Sequence, residues 1–131
     1  MSEQLYINFG DFLCQKRQAA HMTMRELGEA LDCSAPYISD VEKGNRNPFS
    51  LDRLEKLIAL LNLTVEESHI MYNLVSKQMN MAPPDLTEYI LNRDYVMNAL
   101  RLARDLNIDE RDWQKFMADL KSHQELREPA M

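Results

Sequence analysis

The chain has 131 residues, with 15 Lys+Arg against 21 Asp+Glu and a formal net charge of −6. That length fits one domain, or a small domain with a helical extension, and can bury a modest core without metal or disulfide support. Its 45% apolar and 27% charged residues argue against disorder, its three glycines are too few for a turn-rich β protein or a Gly-rich phosphate loop, and its acidity argues against nucleic-acid binding driven by bulk charge.

The predicted elements are all helical. A first helix, about Asn8 to Ala20, carries Phe9, Phe12, Leu13 and Ala20 on one side. A second begins at Thr23, which with Glu26 has the spacing of a capping box, and carries Leu27, Ala30 and Leu31 as a core-facing stripe. After the short turn Asp32-Cys33, Ser34 is the next N-cap candidate, and Pro36 falls in a first turn where a missing N–H costs little. Tyr37, Ile38 and Val41 give this third helix its apolar bulk. Gly44 stops it, and Asn45-Arg46-Asn47-Pro48 is a loop.

A fourth helix from about Ser50 to Leu61 repeats Leu51, Leu54, Leu57, Ile58 and Leu61 on one face. Thr64 with Glu67 forms a second capping box, opening a fifth helix through Ile70, Met71, Leu74 and Val75 to about Met79. Pro83-Pro84 is the clearest break and is taken as the domain boundary. Beyond it, Asp85 and Glu88 are placed to cap a short helical turn through Ile90. A helix from about Asp94 carries Val96, Ala99, Leu100 and Ala103, and Asn107 suits a left-handed stop. Asp109 caps a last helix with the stripe Trp113, Phe116, Met117 and Leu120, and the polar residues after about His123 are expected to fray. Met71, Met97 and Met117 fall on apolar stripes and are expected in core packing.

No apolar run approaches the ~20 residues of a membrane span, and the opening MSEQLYINFGDF lacks the basic and apolar regions of a secretory leader. Cys14 and Cys33 read as reduced thiols of a cytoplasmic protein. With His21 they lack the close spacing of a zinc site, and Glu66-x-x-His69 is a single copy of a motif that a di-iron site needs twice. No catalytic triad, Cys/His dyad or HExxH motif is present, and the three histidines at 21, 69 and 123 are scattered. The expectation is a binding protein with no cofactor, no metal and no enzymatic activity.

The informative segment is Met22 to Pro48, MTMRELGEALDCSAPYISDVEKGNRNP. Two short helices meet across a turn, as in a helix-turn-helix, whose second helix enters the DNA major groove and reads base edges. That geometry needs a small residue where the helices cross, an apolar plug in the turn and apolar core positions in the reading helix. Gly28, Cys33, and Ile38 with Val41 fill these places.

Over Phe9 to Leu63 the chain resembles the Xre/Cro family of phage-repressor-like regulators. The resemblance rests on Phe9-Gly10, Lys16-Arg17, Met22-Thr23, Arg25-Glu26-Leu27, Tyr37-Ile38-Ser39, Val41-Glu42-Lys43-Gly44 and Arg46-Asn47-Pro48. It implies a five-helix repressor-like DNA-binding domain, residues 1–82, with a short C-terminal helical extension, residues 83–131. The resemblance further implies that Ser34, Ala35, Pro36, Ser39 and Asp40 face the groove, that Thr23 contacts phosphate, and that Lys43, Asn45 and Arg46 grip the backbone after the reading helix. Tyr37 either packs at the edge of that helix or extends its hydroxyl to phosphate. Arg17 and Glu42 are implied to be a mostly buried structural pair joining the first and third helices. Many members carry Gln where this chain has Met24, and Lys or Arg where it has Asp40.

The expected function is a sequence-specific, double-stranded-DNA-binding transcriptional regulator, a homodimer reading two half-sites. The tail from Val96 to Leu120 is either the dimer surface or packs on the fifth helix. The alternative is a protein-interaction module, an antitoxin or adaptor that uses the same fold to bind a protein partner. Residues 1–62 hold seven Lys/Arg and nine Asp/Glu, and residues 63–131 hold eight and twelve, so neither half is basic.

Overall fold

The computed structural model describes residues 5–127, and among them are eight α-helices and no strand. The chain is all-α, as expected, and it divides after Glu88 into two units that are described separately.

The first unit holds α1 (Phe9–Ala19), α2 (Met24–Leu31), α3 (Ala35–Glu42), α4 (Leu51–Leu60) and α5 (Val65–Met79). Local chemistry sets most of their starts. Asn8 caps α1 by accepting the Asp11 N–H at 2.9 Å. Thr23 and Glu26 exchange hydrogen bonds at 3.0 and 2.9 Å, and Thr64 and Glu67 do the same, so both expected capping boxes are formed. The ends are set by left-handed residues: His21, Asp32, Asn62 and Asn80 stand at positive φ where glycine is more usual, and only Gly44 follows that habit.

Phe9, Phe12 and Leu13 of α1 are fully buried against Leu27 and Leu31 of α2, Ile38 and Val41 of α3, Leu54 and Leu57 of α4, and Met71 of α5. Burying each such side chain contributes roughly 1.5–3 kcal/mol. Ala30 lies outside this core. The stripe of α2 that faces inward is Leu27, Gly28 and Leu31, one position round the helix from the expected one. Leu51 is likewise exposed at the start of α4.

α1 and α5 run antiparallel, tied at both ends. The Phe9 N–H, one of the orphan donors of α1, reaches Gln78 Oε1 near the end of α5 at 3.3 Å. Near the other end of α1, Lys16 Nζ pairs with Glu67 Oε2 at 2.5 Å in the first turn of α5. Glu67 therefore serves both its capping box and this ion pair, and the Lys16 ammonium and the Thr64 N–H hold its carboxyl below the usual range.

Beyond α5, the Pro83 carbonyl accepts from the Leu86 N–H and the Thr87 hydroxyl, and this closes the turn into α6 (Thr87–Leu91) in place of the expected Asp85–Glu88 cap. The second unit is built on α7 (Asp94–Asp105) and α8 (Glu110–Arg127). Asn107 makes the left-handed stop between them, and Asp109 caps α8 by accepting the Asp112 N–H at 3.0 Å. Two expectations are corrected here. α8 continues to Arg127 instead of fraying after His123, and the last residues of that expected fray, 128–131, lie outside the described residues, as do residues 1–4 of the opening segment. Met71 is buried as expected, but Met97 is half-buried and Met117 is exposed. A helical stripe identifies a face, and the second unit has no further layer of its own to cover that face.

Candidate nucleic-acid interface

The turn between α2 and α3 is pinned from several directions. Asp32 takes the left-handed conformation at φ 60°, and the next amide, Cys33 N–H, donates back to the Gly28 carbonyl at 2.8 Å. A Cβ on Gly28 would stand 2.5 Å from the Cys33 carbonyl oxygen and 3.2 Å from the Ser34 carbonyl carbon, so the two helices approach more closely than any side chain there allows. Cys33 is half-buried against the core as the expected plug, and burial pushes its thiol up. Arg53 of α4 reaches across to donate to the carbonyls of Leu31 and Asp32 at 3.1 and 3.3 Å. It satisfies acceptors that the end of α2 leaves open.

α3 then starts at Ser34, whose Oγ accepts the Tyr37 N–H at 3.2 Å. Ile38 and Val41 anchor one side of α3 in the core, and its far end is locked by an ion pair. Arg17 Nε and Nη2 donate to the two carboxylate oxygens of Glu42 at 2.6 and 3.1 Å, while Nη1 donates to the Met22 carbonyl at 2.8 Å. The two side chains are 10% and 4% exposed, so the buried structural pair implied by the family resemblance is present. Its carboxylate also raises the neighbouring Cys14 thiol, second to the effect of burial. Gly10 completes the lock: a Cβ there would meet the Val41 and Glu42 carbonyl oxygens at 2.5 Å, so α1 lies directly on the last carbonyls of α3.

With its inner side fixed in this way, α3 presents the other side outward. Ser34 and Pro36 are exposed, and Ala35, Ser39 and Asp40 are half-buried. Lys43, Asn45 and Arg46 are exposed in the segment that follows α3, and Thr23 is exposed at the start of α2. The structure draws Tyr37, Asp40 and Arg46 together. Arg46 Nε stands 3.9 Å from Asp40 Oδ2, and its guanidinium lies 5.5 Å from the Tyr37 ring centroid. The Arg53 guanidinium lies 5.6 Å from the same ring, which also leans on Phe49 at 6.1 Å. Tyr37 is therefore a packing element at the edge of α3, flanked by two cations. Arg46 is shared between a carboxylate and an aromatic face.

The roles of Arg53 and Phe49 are not visible in the sequence, and Gly10 enters there only as part of the family resemblance, with no role. A glycine inside the first turn of a predicted helix is a signal of close backbone approach and pointed to Gly10. Arg53 left no local trace, because the carbonyls it serves lie 21 and 22 positions away. Among the described residues no group of three His, Cys, Asp or Glu could hold a metal ion, and no helix is long and apolar enough to cross a membrane. Both cysteines are free thiols.

Residues 15–68, from within α1 to the first turn of α5, match the family model described as Helix-turn-helix. A stretch of 61 residues is 38% identical to uncharacterized HTH-type transcriptional regulators from two strains of Mycobacterium tuberculosis, covering 47% of this chain and 43% of theirs. A stretch of 59 residues is 34% identical to an HTH-type transcriptional regulator of Deinococcus deserti, covering 42% of this chain and 45% of that one. The chain spans less than half the length of the curated relatives it matches. No solved structure matches it.

Proposed function

We propose that the protein is a sequence-specific DNA-binding transcriptional regulator of the Xre/Cro-like kind that acts as a homodimer, a reading supported by the match of residues 15–68 to the helix-turn-helix family model. One observation carries the reading: α3 is fixed from inside by Gly10, Gly28, Ile38, Val41 and the Arg17–Glu42 pair, while Ser34, Ala35, Pro36, Ser39 and Asp40 stay clear of the fully buried core. A helix held rigidly by one side and free along the other is what insertion into a major groove requires.

In this reading Ser34 and Ser39 offer hydroxyls to base edges or phosphate, Ala35 and Pro36 make apolar contacts of the kind a thymine methyl accepts, and Asp40 accepts from a cytosine amino group. Thr23, Lys43, Asn45 and Arg46 hold the backbone, with Tyr37 supporting Arg46. Two copies read half-sites about one helical turn apart, which multiplies the few contacts of each. Such a protein works in the cytoplasm beside the chromosome, with no catalytic step and no cofactor.

The test is a gel-shift assay on DNA upstream of the protein's own gene at two salt concentrations. Specific retardation that weakens with salt supports the reading. Absence of retardation, together with a stably co-purified protein, transfers support to the antitoxin or adaptor alternative. Residue roles are tested by Arg46→Ala, which lowers affinity on all sequences alike, and Ser39→Ala, which changes sequence preference. Equal effects of both on random DNA overturn the assignment.

A further inference from the structure

The second unit has an apolar groove of about 650 Å³ between α7 and α8, lined among others by Tyr89, Tyr95, Val96, Trp113, Phe116 and Leu120. We propose that this groove seats a second copy of the chain, the two α7–α8 hairpins closing into a four-helix bundle. The proposal deepens the homodimer reading above and rests on it only for the use of the dimer on DNA.

No residue of α7 is buried, and every residue of α8 through Glu125 is exposed. Tyr95 is 69% exposed, Phe116 51%, Leu120 50% and Trp113 36%. Within the second unit α7 and α8 have little but each other to pack on, and a unit of about 40 residues falls below the size at which a core of its own holds without a staple or a partner. The exposed parts of Tyr89, Tyr95, Trp113 and Phe116 amount to about 400 Å², roughly half of what each partner gives to an ordinary stable interface. Leu100 and Leu120 add to the same face.

Charge selects the occupant. Residues 89–131 carry seven Lys/Arg against eight Asp/Glu, whereas residues 1–88 carry eight against thirteen. Copies of the first unit repel one another, while copies of the second meet almost without net charge. A strongly basic or acidic partner finds no complementary excess here: the groove itself contains a single acidic side chain, Asp112, among mostly apolar ones. A second copy brings an equally apolar and nearly neutral face, and a two-fold arrangement sets the half-exposed Phe116 and Leu120 of one groove against those of the other.

Trp113 is the only tryptophan in the chain and lines the groove, so its fluorescence reports occupancy directly. The experiment measures the full chain by light scattering and by Trp113 emission over a dilution series. The expected result is twice the mass of one chain at high micromolar concentration, with emission moving to longer wavelength as dilution halves the mass. Phe116→Asp and, separately, Leu120→Asp are expected to give single-chain mass while the helical circular dichroism of the first unit persists. A monomer at every concentration, or a dimer that survives both substitutions, overturns the proposal. Binding of an apolar dye in the groove of a persistently monomeric chain does so too, since the groove then belongs to a small molecule. A dimer that fails to retard DNA leaves this proposal standing and counts against the DNA reading instead.

Discussion

Replacing Arg17 with methionine tests the central claim about how α3 is held. The substitution removes four donated hydrogen bonds, two to Glu42, one to the Met22 carbonyl and a long one to Cys14 Sγ. It leaves the Glu42 carboxylate, 4% exposed, without its counter-charge. Breaking a buried pair from one side costs about 3–5 kcal/mol, because the remaining ion loses its partner without regaining water. That is a large share of the ~5–15 kcal/mol that holds a domain together. With a Tm shift of about 4–8 °C per kcal/mol for a domain of this size, Arg17→Met should melt more than about 12 °C lower. Glu42→Leu breaks the same pair from the other side and leaves the guanidinium without its counter-charge. The double variant Arg17→Met/Glu42→Leu buries no lone charge and should cost less than the sum of the two singles, with a coupling energy of about 1–3 kcal/mol in the cycle. Urea unfolding of the four proteins, followed by circular dichroism, supplies the numbers. If Arg17→Met costs under about 1 kcal/mol and the double variant equals the sum of the singles, the pair is an ornament on the fold and the reasoning fails.

Other consequences are as direct. Gly28→Ala drives a Cβ into the Cys33 carbonyl at 2.5 Å and is expected to lower stability by about 1–3 kcal/mol, since backbone and not a flexible side chain must move; an unchanged urea midpoint would refute the close approach. Asp40→Asn frees Arg46 from its carboxylate and removes an anion from the outward side of α3, so affinity for random DNA should rise about three- to tenfold with a steeper salt dependence while preference for the cytosine that Asp40 reads weakens, and a fall in affinity on every sequence would show that Asp40 is not opposing phosphate. The Glu67 carboxyl is held low by Lys16 and the Thr64 N–H, so its contribution is present above the ordinary carboxyl value of 4.5 and lost as pH falls through the lower folded value. Wild type and Glu67→Gln should therefore differ in Tm at neutral pH and converge in acid; a gap that persists in acid would place the effect in packing. Burial raises both Cys14 and Cys33 above the ordinary thiol value of 9.0, so alkylation at neutral pH should be slow until the domain unfolds, and rapid labelling of the folded protein would contradict this.

The parts of the fold legible in the sequence are those set by neighbours in the chain. Thr23 with Glu26, Thr64 with Glu67, Ser34 and Asp109 are caps whose partners lie three positions away. The turn at Asp32-Cys33 was legible for the same reason. Arg53 and the Lys16–Glu67 pair were not, because their partners lie 21 to 51 positions away and only the packed chain brings them near. Met117 failed differently: periodicity found the face correctly and could not say what covers it. At the interface, residue identity suggested separate roles for Tyr37, Asp40 and Arg46, whereas the folded chain joins them into one group.

α3 has eight residues, fewer than the roughly 12–15 at which a helix begins to persist alone in water. Its supports come from three different elements: Arg17 and Gly10 from α1, Gly28 from α2, Arg53 from α4. The helix therefore has no private stability, and no single neighbour can be loosened while it stays in place. Heat or denaturant should abolish it in the same cooperative step that opens the core. In a cell this ties the lifetime of the protein's outward-facing helix to that of its core, so whatever protease captures the opened domain removes both together.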